Sequence, residues 1–143
     1  MELIIYSPQK EIFTGKVKEI YVPTKEGDYG IFDDHSPMFL ALSLGEISFT
    51  DINNKTTIIA ISDGMLRIEN NVITVEVISG LSIHDIDIKK VTEEKEALES
   101  KLKLVKEKGK VERIKSNIRL SSLHISTYNK HMKNPNHTVK NNP

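Results

Sequence analysis

Residues 47–75 read ISFTDINNKTTIIAISDGMLRIENNVITV, and two hairpins can be recognised in them. The β-prone runs Ile47–Asp51 and Thr57–Ile61 flank one polar turn, and Met65–Ile68 and Val72–Val75 flank another. Both turns contain a pair of asparagines, and Asn tolerates the positive φ that tight hairpins require. The stretch therefore predicts two antiparallel strand pairs joined by short turns.

Shorter β-prone runs precede this stretch. Leu3–Tyr6 and Glu11–Thr14 flank a Ser-Pro turn, and Val17–Val22 is expected to end at Pro23. Six of the seven glycines and three of the five prolines lie before residue 81, which places the turn-forming residues in this half. We expect an all-β N-terminal sandwich or flattened barrel of eight to ten antiparallel strands.

The pattern changes to a helical one after the last of these runs. Residues 87–133 contain no proline and one glycine, Gly109, and apolar residues recur there at helical spacing. The first apolar stripe consists of Val91, Leu98, Leu102 and Val105, and the second of Val111, Ile114, Ile118, Ile125 and Tyr128. With Asp85 or Asp87 as N-cap and a joint at Lys108–Lys110, this predicts a C-terminal α-helical antiparallel hairpin.

Three segments follow from these patterns: a β-sandwich domain at 1–85, a two-helix hairpin at 86–133 and a disordered Asn- and Pro-rich tail at 134–143. The 20 basic and 20 acidic residues balance overall but are segregated. The first segment has 6 basic and 13 acidic side chains, a net −7, and the rest has 14 and 7, a net +7. Such segregation favours docking of one half on the other, or of the basic half on an acidic partner.

Several classes of function are excluded by what the sequence lacks. Without cysteine there is no disulfide scaffold, thiol nucleophile or cysteine-ligated metal. No apolar run approaches the length of a membrane span, and the start has no signal-peptide pattern. We therefore expect a cytosolic chain that touches a membrane only through a partner.

No catalytic or metal site is predicted. Asp33, His35 and Ser36 are residue types of a hydrolase triad, but immediate neighbours in one turn cannot align as nucleophile, base and orienter. Glu26 and Asp28 are the acids of a solvated loop rather than a catalytic pair. The histidines lack the spacing of metal ligands.

The second predicted helix is strongly basic and has three interpretations. Its cations comprise Lys108, Lys110, Arg113, Lys115, Arg119, Lys130 and Lys133. They could form a solvated face, a nucleic-acid-binding arm on a free-standing β-domain, or a contact with an acidic protein. Tyr128 is the one aromatic residue among them and no RNA-binding signature accompanies it, so an acidic protein partner is favoured.

A loop pattern connects the chain to a known family. Glu26-Gly27-Asp28-Tyr29-Gly30-Ile31, followed by His35-Ser36-Pro37, resembles the EGxxGI…HxP stretch of epsilon subunits of F-type ATP synthases. The resemblance continues through Ser7-Pro8, Phe13, Gly15, Val17, Leu44-Gly45, Ser62-Asp63-Gly64 and Val72–Val75. It covers residues 2 to 90, and the predicted hairpin follows in the order and length that the family has.

The resemblance implies a non-catalytic rotor component. In that family the sandwich binds the foot of the gamma subunit and rests on the membrane c ring, which helps to couple proton-driven rotation to ATP synthesis in the alpha–beta head. By position, Glu26 and Asp28 would contact the c ring, and Gly27 and Gly30 would shape a tight turn. His35, Pro37 and Met38 would lie near gamma or brace the loop. The subunit would be peripheral, on the cytoplasmic face of the cell membrane.

The family's helical hairpin is regulatory: folded on the sandwich it is idle, and extended along gamma it inhibits ATP hydrolysis. The family presents an acidic loop of the beta subunit, and the net +7 charge leads to the hypothesis that Lys110, Arg113, Lys115 and Arg119 make the inhibitory contacts with it. Some bacterial members bind ATP through an [I/L]DxxRA motif. Here the motif departs from that pattern, with Lys90 in place of Arg, and leaves Asp87 and Lys90 as candidate ligands for regulatory ATP.

Overall fold

The structure, a computed structural model, describes residues 1–132, and within that range it contains nine strands and two α-helices. The strands are β1 (Glu2–Tyr6), β2 (Glu11–Thr24), β3 (Gly27–Phe32), β4 (Met38–Leu42), β5 (Gly45–Asp51), β6 (Thr56–Ile61), β7 (Gly64–Glu69), β8 (Val72–Val77) and β9 (Gly80–Ser82). A short 3-10 helix, Ile83–Asp85, leads to α1 (Ile88–Leu102) and α2 (Lys108–His131). The tail predicted to be disordered, 134–143, lies outside the described residues.

Strand β2 belongs to two packed sheets. Its first half pairs with β1 and its second half with β3 and β5. Sheet one therefore has the order β4-β7-β8-β1-β2 and sheet two the order β3-β2-β5-β6-β9, which confirms the predicted sandwich. The separation of Glu11–Thr14 from Val17–Val22 was wrong, because the chain stays extended through Gly15 and past Pro23. The missing N–H of Pro23 is tolerated one residue before the strand ends.

One strand pair runs against the predicted pattern. β1 and β8 pair in parallel, from Glu2 opposite Val72 to Tyr6 opposite Glu76, so the sheets are mostly rather than wholly antiparallel. Strands joined by a tight turn must be antiparallel, but β1 and β8 are connected through the whole domain. No local turn therefore fixes their relative direction.

The core lies between the two sheets and follows the alternation of each strand. In β7, Leu66 and Ile68 are buried whereas Met65 and Arg67 are exposed. Fully buried side chains from both sheets fill the interior: Leu3, Ile5, Val17, Ile20, Val22, Ile31, Ile47, Phe49, Ile59, Ile61, Leu66, Ile73 and Val75. Both predicted Asn-rich turns are confirmed, with positive φ at Asn54, Asn70 and Asn71.

Strand β6 is buried on both faces. Ile59 and Ile61 point into the core, and Ile58 and Ala60 are buried on the opposite face. Leu123 of α2 lies beside Ile58, so the hairpin covers this outer surface of sheet two. A continuous apolar run is what a strand covered on both sides requires.

The helical hairpin is confirmed, but its joint lies earlier than predicted. The connection spans 103–107, so Val105 is outside α1 and Gly109 lies in the first turn of α2. Leu102 at the end of α1 and Ile118 of α2 line one shallow pocket between the two helices. A glycine costs little in a first turn, where backbone N–H groups have no intrahelical partner.

Of the two predicted caps, the structure uses one. Asp87 accepts a hydrogen bond from the Lys90 backbone N–H at 3.2 Å and begins α1. Replacing Asp87 by Ala should lower the stability of the hairpin by about 1 kcal/mol, whereas Asp85→Ala should change it by a few tenths at most. Thermal unfolding followed by far-UV circular dichroism measures both, and equal effects would contradict the assignment.

Candidate functional surfaces

The turn between β2 and β3 exposes two acids. Glu26 and Asp28 are both exposed on either side of Gly27, whose φ of +115° is one that residues with a side chain rarely adopt. The Thr24 hydroxyl donates to the Gly27 carbonyl at 2.6 Å and accepts from the Glu26 N–H at 3.2 Å. The Thr24 hydroxyl therefore holds the turn, and both carboxylates remain open to a partner.

Gly30, predicted to shape the same turn, has a different role. It lies inside β3 opposite Tyr21, and a Cβ at this position would be 2.8 Å from the tyrosine ring. The glycine leaves room for the Tyr21 ring over the sheet. The Tyr21 and Phe32 rings form an edge contact there, with their centroids 6.0 Å apart. Close approach to an aromatic ring, rather than turn geometry, explains this glycine.

His35 braces the loop that follows β3. Its Nδ1 donates to the Ser36 carbonyl and its Nε2 accepts from the Tyr29 hydroxyl, each at 2.8 Å. Pro37 is exposed, whereas Met38 is half-buried and packs against the core. The loop is thus rigid, and most of the Met38 side chain is unavailable to a partner.

The outer face of sheet one carries an exposed apolar patch. Phe39 is 71% exposed and Met65 50% exposed, on neighbouring strands. The strand registers align them with the outward-facing Ile4, Tyr6, Arg67 and Glu76. We call these six residues the sheet-one face. Phe39 and Met65 were not predicted from the sequence, although the outward positions of the alternating strands β4 and β7 could have identified them.

The four basic residues predicted to inhibit are all exposed on α2. At 3.6 residues per turn, Lys110 and Arg113 share one side of the helix, and Lys115 and Arg119 share another. Lys110 forms an exposed ion pair with Glu107 at 3.5 Å, which is worth little in water. The structure therefore separates the four cations into two pairs.

The end of α2 is fixed to sheet two by a polar contact. His131 Nε2 lies 2.6 Å from Oε1 of Glu46 on β5, and the two side chains are only 10% and 21% exposed. Beside this pair is an open cavity of about 660 Å³, lined among others by Tyr21, Asp28 and Lys130. Glu46 and His131 are 85 residues apart, so no local sequence signal could have paired them.

The face of α2 that meets the sandwich contains a buried polar side chain. Thr127 is fully buried, and its hydroxyl has no hydrogen-bond partner among the described residues. Burying a hydroxyl without a partner costs about 1–3 kcal/mol. The packing of the hairpin on the sandwich therefore contains a destabilising element.

Asp87 and Lys90, the candidate ATP ligands, lie at the start of α1. The Asp87 carboxylate is used as the helix cap, through the Lys90 backbone N–H. Within residues 1–132, no three His, Asp or Glu side chains converge in a way that could hold a metal ion. Neither described helix combines the length and apolar character needed to cross a lipid bilayer.

His124 lies between the two helices, near Glu94 and Leu98. Burial lowers the pKa of His124, and the nearby Glu94 carboxylate only partly opposes this effect. The folded hairpin therefore favours the neutral imidazole, so the unfolded chain binds more protons below the ordinary histidine pKa.

We expect the stability of the hairpin to fall as the pH drops below about 6.5, the ordinary histidine pKa, and to be flat above it at this site. Urea unfolding at pH 7.5 and 5.5 measures the change. His124→Gln should reduce the difference between the two pH values. An unchanged difference would assign the pH dependence to other groups.

Comparison with known proteins agrees with this architecture. The family described as "ATP synthase, Delta/Epsilon chain, beta-sandwich domain" matches residues 1–80. The chloroplastic ATP synthase epsilon chain of Lotus japonicus is 32% identical over 120 residues, which are 84% of this chain and 88% of that one. The ATP synthase epsilon chain of Nitratidesulfovibrio vulgaris strain DP4 is 31% identical over 108 residues, 76% of this chain and 80% of its own.

A solved structure shares the fold. A chain of the Euglena gracilis mitochondrial ATP synthase, from the cryo-EM structure of OSCP/F1/c-ring in rotational state 1, superimposes with a TM-score of 0.71 at 17% identity. The superposition covers 85% of this chain and 76% of that chain. The family match spans more than half of the chain, and the alignments to the relatives extend into the hairpin. The chain therefore belongs to the family of ATP synthase epsilon chains.

Proposed function

We propose that the chain is the non-catalytic epsilon subunit in the central stalk of an F-type ATP synthase, where it rotates with the gamma subunit and the c ring. The observation that carries the proposal is the alignment to named epsilon chains over 84% and 76% of the chain, which includes both the sandwich and part of the hairpin. In this role it is peripheral, on the cytoplasmic face of the cell membrane, and it reaches the membrane only through the complex. The division of the chain near residue 85 separates the binding domain from the regulatory one.

The sheet-one face is the proposed docking surface for gamma. Phe39 and Met65 are exposed to water in the isolated chain, and contiguous exposed apolar groups are typical of a protein interface. Arg67 and Glu76 on the same face supply polar partners at its rim. The hairpin covers sheet two and leaves this face free.

Phe39→Ser should weaken binding to gamma at least tenfold, because it removes the most exposed aromatic side chain of this face. Phe32→Ser is the matched control, since Phe32 is a 50% exposed phenylalanine on sheet two. Biolayer interferometry with immobilised gamma measures both. Equal loss in the two variants would contradict this docking surface. Binding of oligonucleotides with a steep salt dependence, and no binding to gamma, would favour the nucleic-acid alternative.

Glu26 and Asp28 are the proposed contacts with the c ring. Both carboxylates are exposed at a turn that the Thr24 hydroxyl holds through two hydrogen bonds, so neither is needed to hold the turn. A preformed turn of this kind presents its acids without an ordering cost on binding.

The basic side chains of α2 are the proposed inhibitory contacts with the acidic loop of the beta subunit. All four are exposed while the hairpin is folded, and so remain available for long-range attraction to an acidic surface. Because Lys110 and Arg113 lie on a different side of the helix from Lys115 and Arg119, we expect one pair to dominate. The Asp87 carboxylate already caps α1, so the proposed inhibition does not involve ATP bound at this residue.

Charge reversal of each pair tests the inhibition. Lys110→Glu with Arg113→Glu, or Lys115→Glu with Arg119→Glu, should restore ATP hydrolysis by an alpha–beta–gamma head, and more strongly at low than at high salt. Lys89→Glu with Lys95→Glu, on α1, is the control for net charge. If neither α2 pair relieves inhibition more than the control does, the basic side chains are not the inhibitory contact.

A further inference from the structure

We propose that a groove between α1 and α2 binds a single-chain carboxylate amphiphile, of the chemical class of a free fatty acid. The groove is an open pocket of about 420 Å³, and we call it the hairpin groove. It is lined by Glu99, Leu102, Lys103, Lys115, Ile118 and Arg119. Aliphatic and cationic side chains are thus combined in one pocket, and they match the two ends of such a ligand.

The floor of the hairpin groove is apolar. Leu102 lines it from α1 and Ile118 from α2, and both side chains are only half-buried in the folded chain. The volume of the groove lies within the range of small-molecule sites, about 300–1,000 Å³. An alkyl chain that lies over these two side chains removes apolar surface from water on both the protein and the ligand.

The cations are unevenly distributed along the hairpin groove. α1 and α2 are antiparallel, so the end of α1 lies beside the earlier part of α2. Lys103 and Lys115 therefore flank the end near the helix connection, whereas Glu99 and Arg119 flank the other end. Neither lysine forms an ion pair within residues 1–132. The two like charges repel one another, and an anion between them relieves this repulsion.

The other end of the hairpin groove carries no net charge. Glu99 balances Arg119 there, and the Arg119 guanidinium donates a hydrogen bond to the Ser116 hydroxyl at 2.9 Å. A carboxylate is therefore attracted to the lysine end, and a cationic head group is repelled from it. The arrangement selects both the sign of the head group and its position, with the alkyl chain over the apolar floor.

Two larger kinds of partner fit the hairpin groove less well. A single-stranded nucleic acid is bound largely by stacking on aromatic side chains, and none lines this pocket. A lipid bilayer would contact the most exposed apolar side chain of the hairpin, Leu104 in the helix connection. Leu104 is 83% exposed and does not line the groove. A small amphiphile is the ligand that uses the groove itself.

The hairpin groove is distinct from the candidate ATP ligands. Asp87 and Lys90 lie at the start of α1, whereas Lys103 follows its last residue. Binding of a carboxylate is a property of the isolated chain and does not require inhibition. Its consequence for the enzyme rests on the proposed function: a carboxylate bound at Lys115 neutralises one of the proposed inhibitory cations and weakens its attraction to an acidic loop.

Isothermal titration calorimetry of the full-length chain with dodecanoate, below its micelle-forming concentration, measures this binding. Dodecyltrimethylammonium has the same chain length and the opposite charge, and it should bind at least tenfold more weakly. Octanoate should also bind at least tenfold more weakly, because it buries fewer methylene groups. This ligand series probes the charged end and the apolar floor without any change to the protein.

Lys103→Gln and Lys115→Gln should each weaken dodecanoate binding about tenfold, since each removes a charged partner of the carboxylate. Lys106→Gln is the matched control for charge, because Lys106 is an exposed lysine of the connection that does not line the groove. Leu104→Gln is the control for adsorption through the connection. Far-UV circular dichroism verifies that each variant keeps its fold.

Three calorimetric results would overturn the proposal: equal affinity for dodecanoate and dodecyltrimethylammonium, an equal effect of Lys106→Gln, or loss of binding in Leu104→Gln alone. Adsorption of the chain to anionic vesicles without binding of dodecanoate would also overturn it, in favour of a membrane surface.

Hydrolysis by an alpha–beta–gamma head, with and without the chain, separates this inference from the proposed function. If dodecanoate binds as expected while inhibition by the chain stays constant, the carboxylate site stands and the inhibitory contact does not pass through Lys115.

Discussion

Because β2 belongs to both sheets, it determines how the two outer surfaces of the molecule are related. Its first half pairs with β1 in sheet one, and its second half pairs with β3 and β5 in sheet two. Side chains from both halves, such as Val17 and Val22, point into one closed apolar core. The sheets cannot shift relative to one another without breaking this strand, so the sheet-one face and the surface under the hairpin are held in a fixed relation.

The two interfaces of the chain differ in how they are stabilised. The sandwich is closed by large aliphatic side chains with no polar atoms, such as Ile20, Ile47 and Ile73, whose loss would leave cavities. The hairpin is held on sheet two by polar residues at the end of α2, next to an open space. Stability is therefore unequally distributed, and the hairpin, which has the weaker contact with the rest of the chain, is the element that the proposed inhibition requires to move.

The sequence predicted what depends on neighbouring residues. The Asn pairs predicted the β5–β6 and β7–β8 hairpins because tolerance of a positive φ depends on the individual residue in the turn. The apolar stripes predicted two helices because their spacing repeats over a few neighbouring residues. The parallel pairing of β1 with β8 and the contact of Glu46 with His131 join residues about 70 and 85 positions apart, which only tertiary packing brings together. Gly109 misled because a glycine is tolerated in the first turn of α2, so its position does not mark the connection between the helices.

Release of the hairpin would change little in the domain that it leaves. On sheet two it would uncover Ile58 and Ala60, the outward residues of β6, and also the 3-10 helix with Ile83, which α2 contacts, while Ile59 and Ile61 stay in the core. A small exposed aliphatic patch is within what a folded domain tolerates. The sheet-one face lies on the other side of the core and shares no residue with the hairpin contact. The sandwich can therefore remain bound to a partner through the sheet-one face while the hairpin leaves sheet two. A regulatory hairpin on an anchored subunit requires this separation of the two surfaces.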